Sequence, residues 1–436
     1  MRSPISPSDV HGVLGERILL SGMELVFDLR RSHGNYLHDS RTGRDFLDMF
    51  TFFGSRALAF DHPALIDPTF RERLGWVATA KPSNCDTYTV EYAEFMRAFA
   101  ETAGRGFPHA FVVSGGALAV ENALKCAFDW KVRKNLAAGR GPLGGQVIHF
   151  EKSFHGRSGY TLSITDSPDP RKTLHYPQFD WPRIESPAAS FPLTGDNLAT
   201  TERAEARALA AVGAALDERE HDVAAIILEP IQAEGGDRHL RPAFLSSLRE
   251  IADEREVLLV FDEVQTGLGL TGAWWAHERL GVKPDLVAFG KKFQVCGFAA
   301  TERIDDVENV FKVPSRISTT FEGNWVDMVR AARILQVVEA DGLLAHAAAE
   351  GEWLLEQLQG LELARESVTN ARGLGLMAAI DLPTEAERDD AIARAAAEGL
   401  LILGCGERSI RFRPSLDVTR AELEQALDIL GRSLGA

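Results

Sequence analysis

Two apolar runs, "VLLVFDEV" (residues 257–264) and "DLVAFG" (285–290), decide how this chain folds. Neither alternates polar with apolar residues, so each reads as a short strand covered on both faces. Working outward, "AFVVSG" (110–115), "QVIHF" (146–150) and "VAAIILEP" (223–230) repeat the pattern. Helical stretches lie between them, among them "LAVENALKCAFDWKVRKNLA" (118–137) and "RPAFLSSLREIADERE" (241–256). Buried strands joined by helices predict an α/β fold with a mostly parallel central sheet flanked by helices. After residue 325 the pattern changes. A helix over 326–360 is followed by "GLGLMAAIDL", a helix near 384–398, "LLILGCGERSIRFRPSL" and the amphipathic "TRAELEQALDILGRSL", a small α+β unit. The expected division is an N-terminal arm (1–45), a large domain (46–325) and a small C-terminal domain (326–436). The Ser-, Pro- and Asp-rich stretch 160–200 reads as a long loop.

With 436 residues, 45% of them hydrophobic and 25% charged, the chain is an ordinary globular protein too long for one core. A net charge of −16 argues against nucleic acid or anionic membranes as partners. No apolar run reaches the length of a membrane span, and "MRSPISPSDVHGVLG" lacks the apolar core of a signal peptide. The cysteines at 85, 126, 296 and 405 lack metal-ligand spacing and read as reduced thiols, which points to the cytoplasm.

Ligands of such sheets collect at the carboxyl ends of the strands. The first run is followed by "SGGALAVENAL", where glycines 115 and 116 open a helix, a ready cradle for phosphate. "QVIHF" leads into "EKSFHGRSGY", with an aromatic, a histidine and an arginine together, and "VAAIILEP" into "IQAEGGDRH" with Glu234. The deciding pair ends on Asp262 and Glu263 and on the lysines of "GKKFQVCG". Phosphate cradle, flat ring, buried acid and buried lysine suggest pyridoxal 5′-phosphate, which needs an amine for its aldehyde and a carboxylate for its ring nitrogen. Only one of two neighbouring strand residues can face the ring. Periodicity alone does not choose between Lys291 and Lys292. The run "GLGLTG" (267–272) fits G-x-G-x-x-G, but it stands away from a strand-to-helix turn and lacks an acidic ribose partner.

"FDEVQTGLGLTG" followed by "KPDLVAFGK" resembles the signature of the ω-aminotransferases, the class III aminotransferase family of fold-type I pyridoxal-phosphate enzymes. "DMFTFFGSRAL", "KPSNCDTY", "GGALAVENALKCAFDWK", "FHGRSGYTLS", "FDWPRI", "EPIQAEGGDRH" and "IRFRPSL" extend the resemblance from about residue 24 to the C-terminus. It implies that Lys291 forms the Schiff base and Asp262 partners the ring nitrogen, leaving Lys292 at the surface or an interface. It also implies phosphate binding at Gly116 and Ala117, ring stacking by Phe154 and a bond from Gln265 to the ring hydroxyl. Thr320, by the same resemblance, reaches the phosphate of a neighbouring subunit in a homodimer with shared active sites. His155 is read as a supporting residue and Glu263 as structural.

For substrates, the resemblance gives Arg157 the distal carboxylate of the amino donor and Arg411 the α-carboxylate of 2-oxoglutarate. Glu234 would neutralise Arg411 while the donor binds, and Arg413 is a rival of Arg411. The members most similar act on the terminal amine of L-lysine, implying 2-aminoadipate 6-semialdehyde and L-glutamate as products. Phe53, Arg56, Phe293 and Glu322 depart from the pattern of those members. They keep open other donors, such as ornithine, 4-aminobutyrate, a β-amino acid or a carboxylated analogue. The scaffold that the resemblance implies also hosts racemases and decarboxylases.

Overall fold

A computed structural model of the chain describes residues 4–81 and 87–435, so Cys85 and most of "KPSNCDTY" lie outside the described residues. Its central sheet has seven strands: β1 (His109–Val113), β2 (Gln146–Phe150), β3 (Arg183–Ile184), β4 (Val223–Leu228), β5 (Leu258–Asp262), β6 (Leu286–Phe289) and β7 (Cys296–Ala300). They lie side by side in the order β1-β7-β6-β5-β4-β2-β3. From β6 to β3 every pairing is parallel, and β7 runs antiparallel to both its neighbours. All five runs picked out in the sequence are strands of this sheet. β7 was not among them, because "CGFAA" is short and carries little bulk. A Cβ on Gly297 would lie 2.2 Å from the Phe111 carbonyl, so glycine is what lets β7 sit against β1.

The continuous apolar runs are explained by cover on both faces. Val147, Ala225, Ile227, Leu258 and Val260 turn toward helix α1 (Gly116–Ala137), where Leu124 and Trp130 are fully buried. The alternate residues Ile148, Ile226, Leu228, Leu259 and Phe261 pack on α2 (Gly195–Glu218) and α3 (Pro242–Glu254), with Phe244 and Leu248 between. Truncating one such leucine to alanine costs about 2–5 kcal/mol.

The helix expected over 326–360 is two helices, α4 (Trp325–Ala340) and α5 (Leu343–Ala364). Gly342, at φ +65°, breaks them, a conformation open to glycine without a Cβ penalty. Four antiparallel strands follow, Thr369–Leu374, Met377–Asp381, Ser409–Phe412 and Leu403–Cys405. The N-terminal strands Tyr36–Asp39 and Arg44–Asp48 pair with Leu400–Leu401. Within 160–200 the chain forms a helix at Gly159–Ile164, a single 3₁₀ turn at Pro170–Lys172 and the two-residue β3, and α2 starts at Gly195. Cys126, Cys296 and Cys405 are free thiols. Among the described residues, no helix is long and apolar enough to cross a membrane.

Candidate active site

The carboxyl ends of β2, β4, β5 and β6 open on a cavity of about 510 Å³. The first turn of α1 forms one wall. That helix starts at Gly116 with no side chain capping it, so its leading N–H groups are unclaimed by the protein, and Gly116 and Ala117 line the cavity. The loop after β2 crowds against this turn. Gly156 sits at φ +127°, and a Cβ there would be 2.5 Å from that of Ala117. Phe154, two residues before, lines the cavity beside it.

Asp262 ends β5 at the cavity floor, 5% exposed. One of its oxygens accepts the Val264 N–H at 3.0 Å and the other lies 2.8 Å from His155 Nδ1. A carboxylate can only accept, so the histidine carries the proton on Nδ1. Glu229, at the end of β4, is a second buried acid of the cavity. It accepts the N–H groups of Phe154 (2.8 Å) and Ala233 (3.2 Å), and burial raises its pKa to about 7. Glu263 faces the other way, taking the N–H groups of Ala276 and His277 and the Thr266 hydroxyl.

The lysine pair lies in a 3₁₀ turn, Lys291–Phe293, just beyond β6 rather than on the strand. Lys291 adopts φ +48°, strained for a residue with a Cβ, and borders the cavity. Burial lowers its pKa to about 8, helped by the positive charges of Arg411 and Arg413 and opposed by Glu229 and Asp262. Lys292 is not at the surface. It is 1% exposed, and its amine donates to the carbonyls of Arg56 (2.8 Å) and Pro414 (2.9 Å). The turn rotates neighbouring side chains apart, and the second lysine binds together segments distant in sequence.

Arg413 is held by Asp237 through both terminal guanidinium nitrogens, one contact being 2.9 Å, and donates its Nε–H to Gln265 at 2.9 Å. Arg411 makes only long bonds, 3.3 Å to the Ala233 carbonyl and 3.4 Å to Gln265. Arg411, not Arg413, therefore retains donors for a ligand. Arg411 also borders an outer cavity of about 590 Å³ with Phe53, Lys172 and Glu234. Glu234 lines both cavities. Its partner is Lys172, with Ser167 at 2.9 Å, and not Arg411.

Two of the expected site residues are not brought in. Arg157 is exposed and borders neither cavity, and Thr320 is exposed on the loop before α4, away from the cavity of its own chain. The four departures separate clearly. Phe53 lines the outer cavity, carried by a left-handed turn in which Thr51, Phe52, Phe53 and Gly54 have φ of 44°, 53°, 60° and 80°. Arg56 borders neither cavity. It is largely buried, bonds Leu58, Asn35 and Asp48, and covers the Phe60 ring at 4.1 Å. Phe293 is core, stacked on Trp275 at 5.0 Å. Glu322 is buried and accepts the Thr319 N–H at 3.2 Å. His155, Glu229 and Lys172 went unselected as site residues. A signal existed for the first two: Glu229 directly follows the strand Val223–Leu228, and His155 stands in the loop after Gln146–Phe150. None existed for Lys172, in a loop of mixed charge.

These residues fit pyridoxal phosphate: an uncapped helix start for an anion, a braced carboxylate, an aromatic ring and a buried amine share one cavity. Among enzymes built on such a sheet, that demand is made by the fold-type I pyridoxal-phosphate transferases, the class defined here. The chain belongs to the class-III aminotransferase family, whose sequence model matches residues 21–434. It is 50% identical over 431 residues to an L-lysine-epsilon aminotransferase of Mycobacterium tuberculosis, covering 97% of this chain and 95% of that protein. A protein of the same name from Amycolatopsis lactamdurans is 48% identical, covering 100% and 98%. The solved lysine aminotransferase of M. tuberculosis in its internal aldimine form superposes with a TM-score of 0.96 at 49% identity, covering 98% and 99%.

Proposed function

We propose that this aminotransferase moves the terminal amino group of L-lysine to 2-oxoglutarate, giving 2-aminoadipate 6-semialdehyde and L-glutamate. The observation that carries it is the joint placing of Lys291, the Asp262–His155 pair and an Arg411 without an ion-pair partner around two cavities that share Glu234. Near-full-length identity to enzymes named for lysine supports the donor.

Pyridoxal phosphate, when bound, supplies an aldehyde that exchanges amino groups and a ring that takes up electrons. The chain's part follows from position. The α1 N-terminus at Gly116 and Ala117 would hold the phosphate, Phe154 would face the ring and Gln265 its hydroxyl, and Asp262, fixed by His155, would supply the carboxylate for the ring nitrogen. Lys291 Nζ would hold the aldehyde and, as a free amine, move the proton. Its pKa of about 8 leaves an appreciable neutral fraction near neutral pH. Arg411 takes the α-carboxylate of 2-oxoglutarate.

The enzyme works as a cytoplasmic homodimer in which Thr320 completes the partner's phosphate site. Its exposed position and the lack of a hydroxyl at Ala117 support this. An amine-donor panel with 2-oxoglutarate, reading glutamate and identifying the aldehyde, tests the proposal. Lysine should exceed ornithine and 4-aminobutyrate, and no turnover with lysine beside good turnover with another donor would refute it.

A further inference from the structure

Glu234 stands on the wall between the inner cavity, with Lys291, and the outer one, with Lys172 and Arg411. Its backbone cannot shift. Gly406 N–H donates to the Glu234 carbonyl at 2.8 Å, and a Cβ on the next residue, Gly235, would lie 2.0 Å from the Lys152 carbonyl. Only the side chain is free to turn. Oε1 is held by Lys172 Nζ and Ser167 Oγ, while Oε2 is buried with no hydrogen-bond partner.

The other acids around the outer cavity are engaged. Asp169 has Arg171, Glu407 has Lys152, and Glu385 and Asp389 share Arg388. Glu234 is thus the carboxylate that two cations of this cavity, Lys172 and Arg411, can claim. Lys172 Nζ is further steadied 5.6 Å from the centroid of the Phe154 ring.

Building on the assignment of Arg411 as a carboxylate-binding residue, we propose that Lys172 is a specificity-determining residue that draws Glu234 away from Arg411. With Glu234 bound to Lys172, the Arg411 charge is uncompensated and a dicarboxylate ligand is favoured. Without Lys172, and with Arg171 and Arg388 engaged by their own acids, the cation left to the carboxylate in this cavity is Arg411, and the ligand must compete for it.

The test measures calorimetric binding of glutarate, a dicarboxylate that cannot react, to the holoenzyme and its variants. Lys172→Met should weaken binding about tenfold, within the usual span of coupling between sites. Lys172→Arg should restore it, and adding Glu234→Gln to Lys172→Met should restore it as well. A crystal structure of Lys172→Met should place the Glu234 carboxylate in hydrogen-bonding contact with Arg411. Unchanged glutarate affinity in Lys172→Met, or a Glu234 that stays away from Arg411 in that structure, overturns the proposal while leaving Arg411 in its role. Full affinity in Arg411→Gln overturns the assignment of Arg411 itself, and the proposal with it.

Discussion

Lys292→Met replaces a buried amine with a side chain of similar length that offers no donor. The carbonyls of Arg56 and Pro414 then lose the N–H groups that reach them at 2.8 and 2.9 Å. A buried acceptor left unpaired costs about 1–3 kcal/mol. Carbonyls tolerate this better than N–H groups, so the two together should cost about 2–4 kcal/mol. Burial, with Arg56 and Arg413 nearby, lowers the Lys292 pKa well below its ordinary value. Urea unfolding of the cofactor-free protein should therefore show Lys292→Met less stable by that amount. Lys292→Ala should be worse, because it also leaves a cavity. Borohydride reduction and peptide mapping should find cofactor on Lys291 in the wild type and in Lys292→Met. A stability loss below about 0.5 kcal/mol, the usual effect of a surface change, would refute the clamp, and cofactor on Lys292 would reverse the assignment.

Lys291→Ala should lose the covalently trapped cofactor and all but a trace of turnover, read by the same mapping and by glutamate formation. Arg411→Gln removes a positive charge that lowers the Lys291 pKa of about 8, so the rise of the lysine half-reaction with pH should move upward by roughly one unit; an unmoved profile would separate the two residues. His155→Leu takes a buried donor from Asp262, and the loss of a charge-assisted bond should weaken cofactor binding about ten- to hundredfold by fluorescence titration. Thr320→Ala should weaken cofactor retention in the dimer, and a fully active monomer by light scattering would defeat the shared-site proposal.

What was legible in the sequence is what depends on near neighbours along the chain. A strand covered on both faces must be apolar at every position, so β2, β4, β5 and β6 stood out, and the residues ending them named Asp262 and the lysine turn. The glycines before α1 marked an uncapped helix start in the same way. The helices and short strands after residue 325 were legible too, but not the break at Gly342. A lone glycine in a helical pattern carries no mark of its φ.

Tertiary structure alone decided which charges are free. Lys292 looked superficial because lysines usually are, yet its acceptors lie 236 and 122 residues away. The resemblance favours Arg411 over Arg413, and the physical difference between them is Asp237, 176 residues from Arg413, which takes the latter. Arg56 became structural through Asn35 and Asp48, and Glu234 met Lys172 across 62 residues of chain. Local patterning records which residues must leave water, since that is a property of each side chain and its strand or helix. The partner of a buried charge is set by where distant segments cross, and no periodicity along the chain encodes that.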